Sequence, residues 1–354
     1  MCQDLCKSNA GYGGHIAAAR AIDLGRKDGA DMSVIVKAGL LSLAAVLLIP
    51  SAAGTAAPVQ EPLVLVVQPA EPAQEERTVR VLCGGTVQTE PVDKYLTRVV
   101  LSEMPASFEE EALKAQAVAA RTFTCRQMAH GKHENADVCT DSACCQACRT
   151  EDELQTRLGA DFDDAWEKAA RAVTETAGAV LTYDGALIEA VYFSCSGGTT
   201  EAAAAVWGTD VPYLQPVESP GEQSAAKYAS SVTVSAAAFA QKLQSQDDGL
   251  CLRGDPSGWV TSLTRTAGGG VDTAVIGGRR FRGTQLRGLF GLNSTKFTLT
   301  EQDGTFRFDV LGYGHRVGMS QYGANAAAAL GFDYRAILRY YYRGVRITDW
   351  AGVL

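Results

Sequence analysis

The sequence predicts an α+β fold, with mixed strands and helices around a substrate cleft, after an N-terminal membrane-spanning or signal segment. Three observations lead there. Strand-like and helical stretches follow one another without a regular strand–helix–strand repeat. The stretch from Ala112 to Phe123 is rich in alanine and apolar over most of its circumference, as a buried helix requires. Val180–Tyr183, Asp184-Gly185 and Ala186–Phe193 give a strong hairpin signal, because Asp-Gly suits the tight turn that matches strand twist. With 354 residues the chain can hold one large or two modest domains and bury an ample core. A formal charge of −8 and the absence of basic clusters argue against nucleic acid as a partner.

The elements follow in order. Residues 1–31 are polar and glycine-spotted, a tail or an extension ahead of a start at Met32. Residues 32–57 contain an uncharged run, Ala38–Ala57, with a strongly apolar centre at Leu40–Ile49. About twenty apolar residues cross a bilayer. Arg26, Lys27 and Lys37 precede the run, so its N-terminus stays inside and the rest is exported. Small residues from Ser51 to Ala57 equally fit the cleavage site of a signal peptide. Both readings place the remainder outside the cytoplasm, either anchored to the cell membrane by a single pass or released. Residues 58–78 carry four prolines and read as an extended spacer, with Leu63–Val67 as an alternative first strand. The folded domain is expected at 79–354, entered through Val79–Leu82, Thr86–Gln88 and Val92–Val100.

Val99–Leu101 read as the end of an apolar strand or helix, and Pro105 stops regular structure, so Glu103 stands at an element's end, able to reach a cleft. Ser107 is expected to cap the next helix, with Glu110 completing a capping box. That helix is expected to end near Arg121. Arg121 lies on a nearly apolar surface and needs a partner, which spacing assigns either to Glu103 or to another carboxylate.

His130, His133, Asp137, Cys139, Asp141, Cys144, Cys145 and Cys148 follow. Thiolates and imidazole are preferred zinc ligands, four to a tetrahedral site. His133, Cys139 and Cys145 are evenly spaced, Cys145 and Cys148 stand at a chelating separation, and Cys144 and Cys148 compete for the fourth position. Half of the ten cysteines lie between Cys125 and Cys148, which favours a local metal site over disulfides, although an exported protein permits a disulfide knot.

Asp161–Thr176 has helical spacing, stopped by Gly178. The hairpin after it delivers Ser194-Cys195-Ser196-Gly197-Gly198 at a strand end. This is not Gly-x-Ser-x-Gly, and no histidine is placed to activate either serine, so the stretch reads as a tight loop approaching a ligand or as plain turn chemistry. Ser219–Ser257 is polar, with one helix near Ala236–Leu243, and is expected to be peripheral. Ser262–Thr266, Arg279–Arg282 and Lys296–Leu299 read as strands. The glycines of Gly312–Gly318 lack the spacing of a dinucleotide loop and feed a helix, Gln321–Leu330, stopped by Gly331. A last helix, Tyr334–Tyr342, starts after Asp333, and a strand at Val345–Ile347 closes the chain.

Glu103-Met104-Pro105-Ala106-Ser107, the run Glu111–Thr122 and Asp137-Val138-Cys139-Thr140-Asp141 resemble the stage II sporulation protein D family. So do Phe193–Thr200, Val206-Trp207-Gly208, Pro212-Tyr213-Leu214 and Gly314–Ala324, in order from about Val79 to Trp350. The resemblance implies a membrane-anchored lytic transglycosylase that cuts peptidoglycan glycan strands during engulfment, leaving 1,6-anhydro ends on N-acetylmuramic acid. Glu103 would be its single acid and base, with a pKa lifted by burial. A nearby cation would oppose that lift, so Arg121 is assigned to substrate or to orienting Glu103 and not to an ion pair with it, and Ser194, Ser196, Gly197 and Gln321 are read as substrate contacts. The resemblance also implies one zinc ion on His133, Cys139 and Cys145, with Cys144 standing where the family often has histidine, and Cys148 as the alternative fourth ligand. Arg316 replaces a usual glycine, which bears on His315 and Gln321. Implied partners are a sporulation amidase and a membrane protein that recruits both. Two rivals remain: a zinc-dependent cell-wall amidase with Glu103 as base, and a non-catalytic glycan-binding scaffold.

Overall fold

Pro105 sets where the first helix ends, and that decides the fold's working geometry. In the computed structural model, which describes residues 77–353, β1 (Thr78–Cys83) and β2 (Thr86–Pro91) form an antiparallel pair with Thr78 opposite Pro91. Helix α1 (Val92–Glu103) follows at once and buries Tyr95, Leu96, Val99 and Val100. A residue before proline is pushed out of helical space; Met104 is accordingly extended, at φ −118° and ψ 146°, and Glu103 becomes the last helical residue.

Helix α2 spans Glu110–His130, longer than the expected stop near Arg121. Its alanines pack without obstruction, so it is buried from Ala112 to Cys125 except at Lys114. Ser107 does not cap it. The helix begins after Glu109, without a side-chain cap of its own, and the Glu109 N–H donates to Asn325 Oδ1 at 2.8 Å. A long-range partner thus replaces the local capping box. β3 (Val138–Cys139) then pairs parallel with β1.

Helix α3 (Glu151–Leu158) opens on a Thr150/Glu153 capping box, and α4 (Phe162–Glu175) lays Ala165, Ala169, Ala172 and Val173 against the core. β4 (Ala179–Tyr183) turns through Asp184 and Gly185, both at positive φ, into β5 (Ala186–Leu187), as the Asp-Gly pair predicts. The expected second strand is shorter than Ala186–Phe193. It breaks after Leu187, and Tyr192–Phe193 form a separate strand, β6, because their partner lies elsewhere in the chain. Short helix α5 (Ala203–Trp207) follows.

The next stretch builds a second core. It comprises β7 (Ala229–Ser235), α6 (Ala236–Gln244), β8 (Val260–Arg265), β9 (Val271–Ile276), β10 (Arg279–Arg282), α7 (Gly283–Phe290), β11 (Lys296–Gln302) and β12 (Thr305–Leu311). Two antiparallel sheets, in the orders β11-β12-β7 and β10-β9-β8, enclose phenylalanines, with Phe239 and Phe306 stacked at 3.8 Å. Ser219–Ser257 is therefore not peripheral: β7 alternates exposed and half-buried residues along one sheet, and Phe239 of α6 is fully buried.

The chain then returns to the first core. β13 (Met319–Ser320) pairs parallel with β6, α8 (Gln321–Ala329) starts under a Ser320 cap, and α9 (Tyr334–Tyr341) under an Asp333 cap. β14 (Arg346–Asp349) completes the sheet of β4 and β5. The fold is thus mixed, with helices and several small sheets. The tail, the apolar run Ala38–Ala57 and the spacer up to residue 76 lie outside the described residues. Among the described residues no helix is long and apolar enough to cross a membrane.

Candidate functional site

The end of α1 meets the start of α8 at a cleft of about 530 Å³. Glu103, Gln146, Tyr192, Ser194, His315 and Gln321 are among its walls. Glu103 Oε1 accepts the Ala147 N–H at 2.7 Å, and Oε2 accepts Gln321 Nε2 at 3.5 Å. Burial raises the pKa of Glu103, while the Ala147 N–H, Gln321 and the charge of Arg149 pull it back in part. Below it, Tyr192 donates to Gln146 Oε1 at 2.8 Å, and Gln146 Nε2 donates to Thr124 Oγ1 at 3.2 Å. His315 is kept neutral near pH 7, because burial and the charge of Arg287 push its pKa down to about 4.

Of the expected substrate contacts, Ser194 and Gln321 line the cleft and the others do not. Ser196 is fully buried and turns to Glu222, itself fully buried. Glu222 Oε2 accepts the Ser196 N–H and hydroxyl, each at 2.8 Å, the Gly197 N–H at 2.9 Å and the Gly198 N–H at 3.3 Å. Oε1 accepts the hydroxyls of Ser219 and Ser320. Gly197 has φ +73°, and a Cβ there would sit 2.9 Å from Leu311 Cβ, so this turn demands glycine for its backbone. The loop and the first turn of α8 are clamped by one carboxylate. Nothing local in the polar stretch around Glu222 marks it, and only the folded chain assembles its donors.

Arg121 is not among the residues that line the cleft and makes no hydrogen bond to Glu103. It is fully buried, and its Nη atoms donate to the Val173, Thr176 and Ala179 carbonyls at 2.8, 2.7 and 3.3 Å. Val173 and Thr176 belong to the last turn and C-cap of α4, where helix carbonyls carry partial negative charge, and Ala179 opens β4. The guanidinium thus finds its partner in backbone, and no carboxylate is required. Burial lowers its pKa.

Arg316 has φ +67°, the left-handed region in which glycine is at home. Its side chain is fully buried and leaves the cleft free. It pairs with Glu201 at 3.1 Å and donates to the Ser196, Thr199 and Gly268 carbonyls at 2.8, 2.7 and 2.6 Å. Four such contacts can hold a backbone that an arginine alone would avoid.

The cysteine cluster adjoins the cleft. Ligand atoms of His133, Cys139, Cys144 and Cys145 all lie within 4.8 Å of one another, with His133 Nε2 at 3.4 Å from Cys145 Sγ. Zinc bonds to nitrogen and sulfur place tetrahedral donors about 3.5 Å apart, so the donor set fits that ion in number, type and spread. Burial pushes the Cys145 thiol up to about 12, and a bound cation would reverse this by favouring thiolate. Cys148 lies outside the cluster: it is buried in the first core near Arg98 and Glu90. The described cysteines are all free thiols. From Cys145 the chain passes through Gln146 to Ala147, so the cluster's loop also delivers the N–H that holds Glu103.

A family model described as Stage II sporulation protein matches residues 84–183. The chain is 39% identical over 288 residues to stage II sporulation protein D of Bacillus amyloliquefaciens, covering 79% of this chain and 82% of that protein. It is 40% identical over 267 residues to the protein of the same name in Bacillus subtilis (strain 168), covering 75% and 76%. It is also 29% identical over 313 residues to the amidase enhancer of Bacillus subtilis (strain 168), covering 72% of this chain and 40% of that protein.

Proposed function

The chain belongs to the stage II sporulation protein D family, and on that premise we propose that it is a lytic transglycosylase acting on peptidoglycan glycan strands during sporulation. One observation carries the reading: among the described residues that line the cleft, Glu103 is the only carboxylate. A glycosidase that hydrolyses needs two, one for the leaving group and one for water or a covalent intermediate. A lytic transglycosylase needs one. Glu103, protonated at the outset, gives its proton to the glycosidic oxygen as the bond to C1 of the muramic acid breaks. The C6 hydroxyl of the same sugar then attacks C1, and its proton returns to Glu103. The product is a 1,6-anhydro sugar and a new free hydroxyl on the departing strand, with no water consumed.

The surroundings suit both halves. Burial favours the acid at the start, and the Ala147 N–H and Gln321 Nε2 wait for the carboxylate that forms. Ser194 and Gln321 are the polar groups we assign to the substrate. A zinc ion on His133, Cys139, Cys144 and Cys145 would hold the Ala147 loop and neutralise the thiolates. Four protein donors would leave no open position for activating water, which disfavours a zinc amidase. Likeness to an amidase enhancer keeps a non-catalytic role beside an amidase in play. We further propose that Ala38–Ala57 anchors or exports the domain, and that an amidase and a membrane recruitment protein are its partners.

Mass spectrometry of fragments released from peptide-free and intact glycan strands tests this. Anhydro ends from the wild type, and none from Glu103→Gln, are expected. Reducing ends would mean hydrolysis, and no cleavage by folded, zinc-loaded protein would favour the scaffold.

A further inference from the structure

A cleft of about 530 Å³ is of the size that takes a small ligand. A glycan strand is a polymer, so it must leave such a cleft over the rim, and what stands on that rim can bind it. One side is aromatic. His315 lines the cleft, and its ring lies 5.6 Å from that of Phe193, another wall residue. On its other side His315 meets Trp207, at 5.3 Å and 50°. Trp207 is 48% exposed. An aromatic surface therefore runs unbroken from the cleft wall to solvent.

We propose that Trp207 is a sugar-stacking platform, a distal subsite that carries the glycan strand out of the cleft; this rests on the glycan-cleaving reading above. The backbone that carries it is held in place. Trp207 ends α5, whose Ala203 is fully buried, and the Gly208 N–H closes on the Ala204 carbonyl at 3.0 Å. An indole, with only two rotatable side-chain bonds, offers a large contact area at little cost in conformational entropy. Its chemistry fits the ligand: a pyranose has a C–H face that lies on an apolar ring, and its hydroxyl edge can meet the indole N–H or water. The His315 ring behind it is neutral at pH 7, so this ring presents no charge to an uncharged sugar face. An isolated exposed aromatic needs no explanation, but this one continues a wall of the cleft that holds Glu103.

The experiment uses the purified chain and peptide-free glycan fragments sorted by length. Trp207→Ala is expected to raise KM for long strands about tenfold and to leave kcat unchanged. The deficit should shrink as fragments become too short to reach the ring, and Trp207→Phe should recover most of the affinity. A wild-type KM for Trp207→Ala on long strands, or an equal loss at every length, would overturn the proposal. Should the wild type cleave nothing, the catalytic reading fails alone. Calorimetry of fragment binding to Glu103→Gln, with and without Trp207→Ala, then reads the platform directly. A length-dependent loss of affinity supports it, and identical affinities refute it.

Discussion

Two glutamates, Glu222 fully buried and Glu103 half-buried, meet the start of α8, and they differ in their company. Glu222 accepts hydrogen bonds from three backbone N–H groups and three hydroxyls. Glu103 accepts two, one of them long. A carboxylate surrounded by donors acts as a clamp, fixing whatever donates to it. One with few donors and little water is biased towards holding a proton. Glu222 is fully buried and Glu103 half-buried, and the count of donors separates the clamp from the carboxylate proposed as acid and base.

This contrast can be broken by substitution. Glu103→Gln is expected to lower glycan cleavage on the order of a thousandfold while leaving the thermal midpoint near that of the wild type, since the amide oxygen still accepts the Ala147 N–H. Glu222→Ala should do the reverse, costing about 3 kcal/mol or more of stability by stranding its buried donors. A folded, fully stable Glu222→Ala protein in a denaturant titration would end the clamp account. Arg121→Met sharpens the comparison further: about 3 kcal/mol should be lost in the same titration, with the activity of each folded molecule unchanged. A selective fall in kcat would restore Arg121 to the cleft.

Smaller effects follow. Cys139→Ser should reduce zinc content and lower activity roughly ten- to hundredfold, because the loop that carries Ala147 loosens. Unaltered activity in a zinc-free protein would detach the cluster from Glu103. The least effect concerns pH and stability. Burial holds the Glu103 pKa above its ordinary value, so the folded chain keeps this proton longer than the unfolded one. That contribution is whole below the unfolded pKa and is lost as pH rises through the folded one. Glu103→Gln removes it, so the variant should gain on the wild type as pH rises through this window. Parallel stability curves would contradict the lifted pKa.

What was legible in the sequence was local. Pro105 announces the end of α1, Asp184-Gly185 the hairpin, Asp333 the start of α9, and each acts within a few residues. The spacing of His133, Cys139 and Cys145 is likewise short-range, and the structure brings these side chains together with Cys144. Arg121 was expected at the cleft, whereas its acceptors lie 52 to 58 residues away, at the end of α4 and the start of β4, which spacing cannot locate. Ser196 and Gly197 were taken for ligand contacts because the carboxylate that claims them sits in an unremarkable polar stretch. Ala147 could not be found at all, since its contribution is a backbone N–H that almost any residue would supply.

The central claim is that one carboxylate suffices because the sugar's own hydroxyl does the work of water. Running the cleavage in heavy-oxygen water and weighing the newly formed ends tests it most directly. The account predicts ends free of label, with mass matching an anhydro sugar. Label at the new end would show that water attacks, and a second carboxylate would then have to act with Glu103.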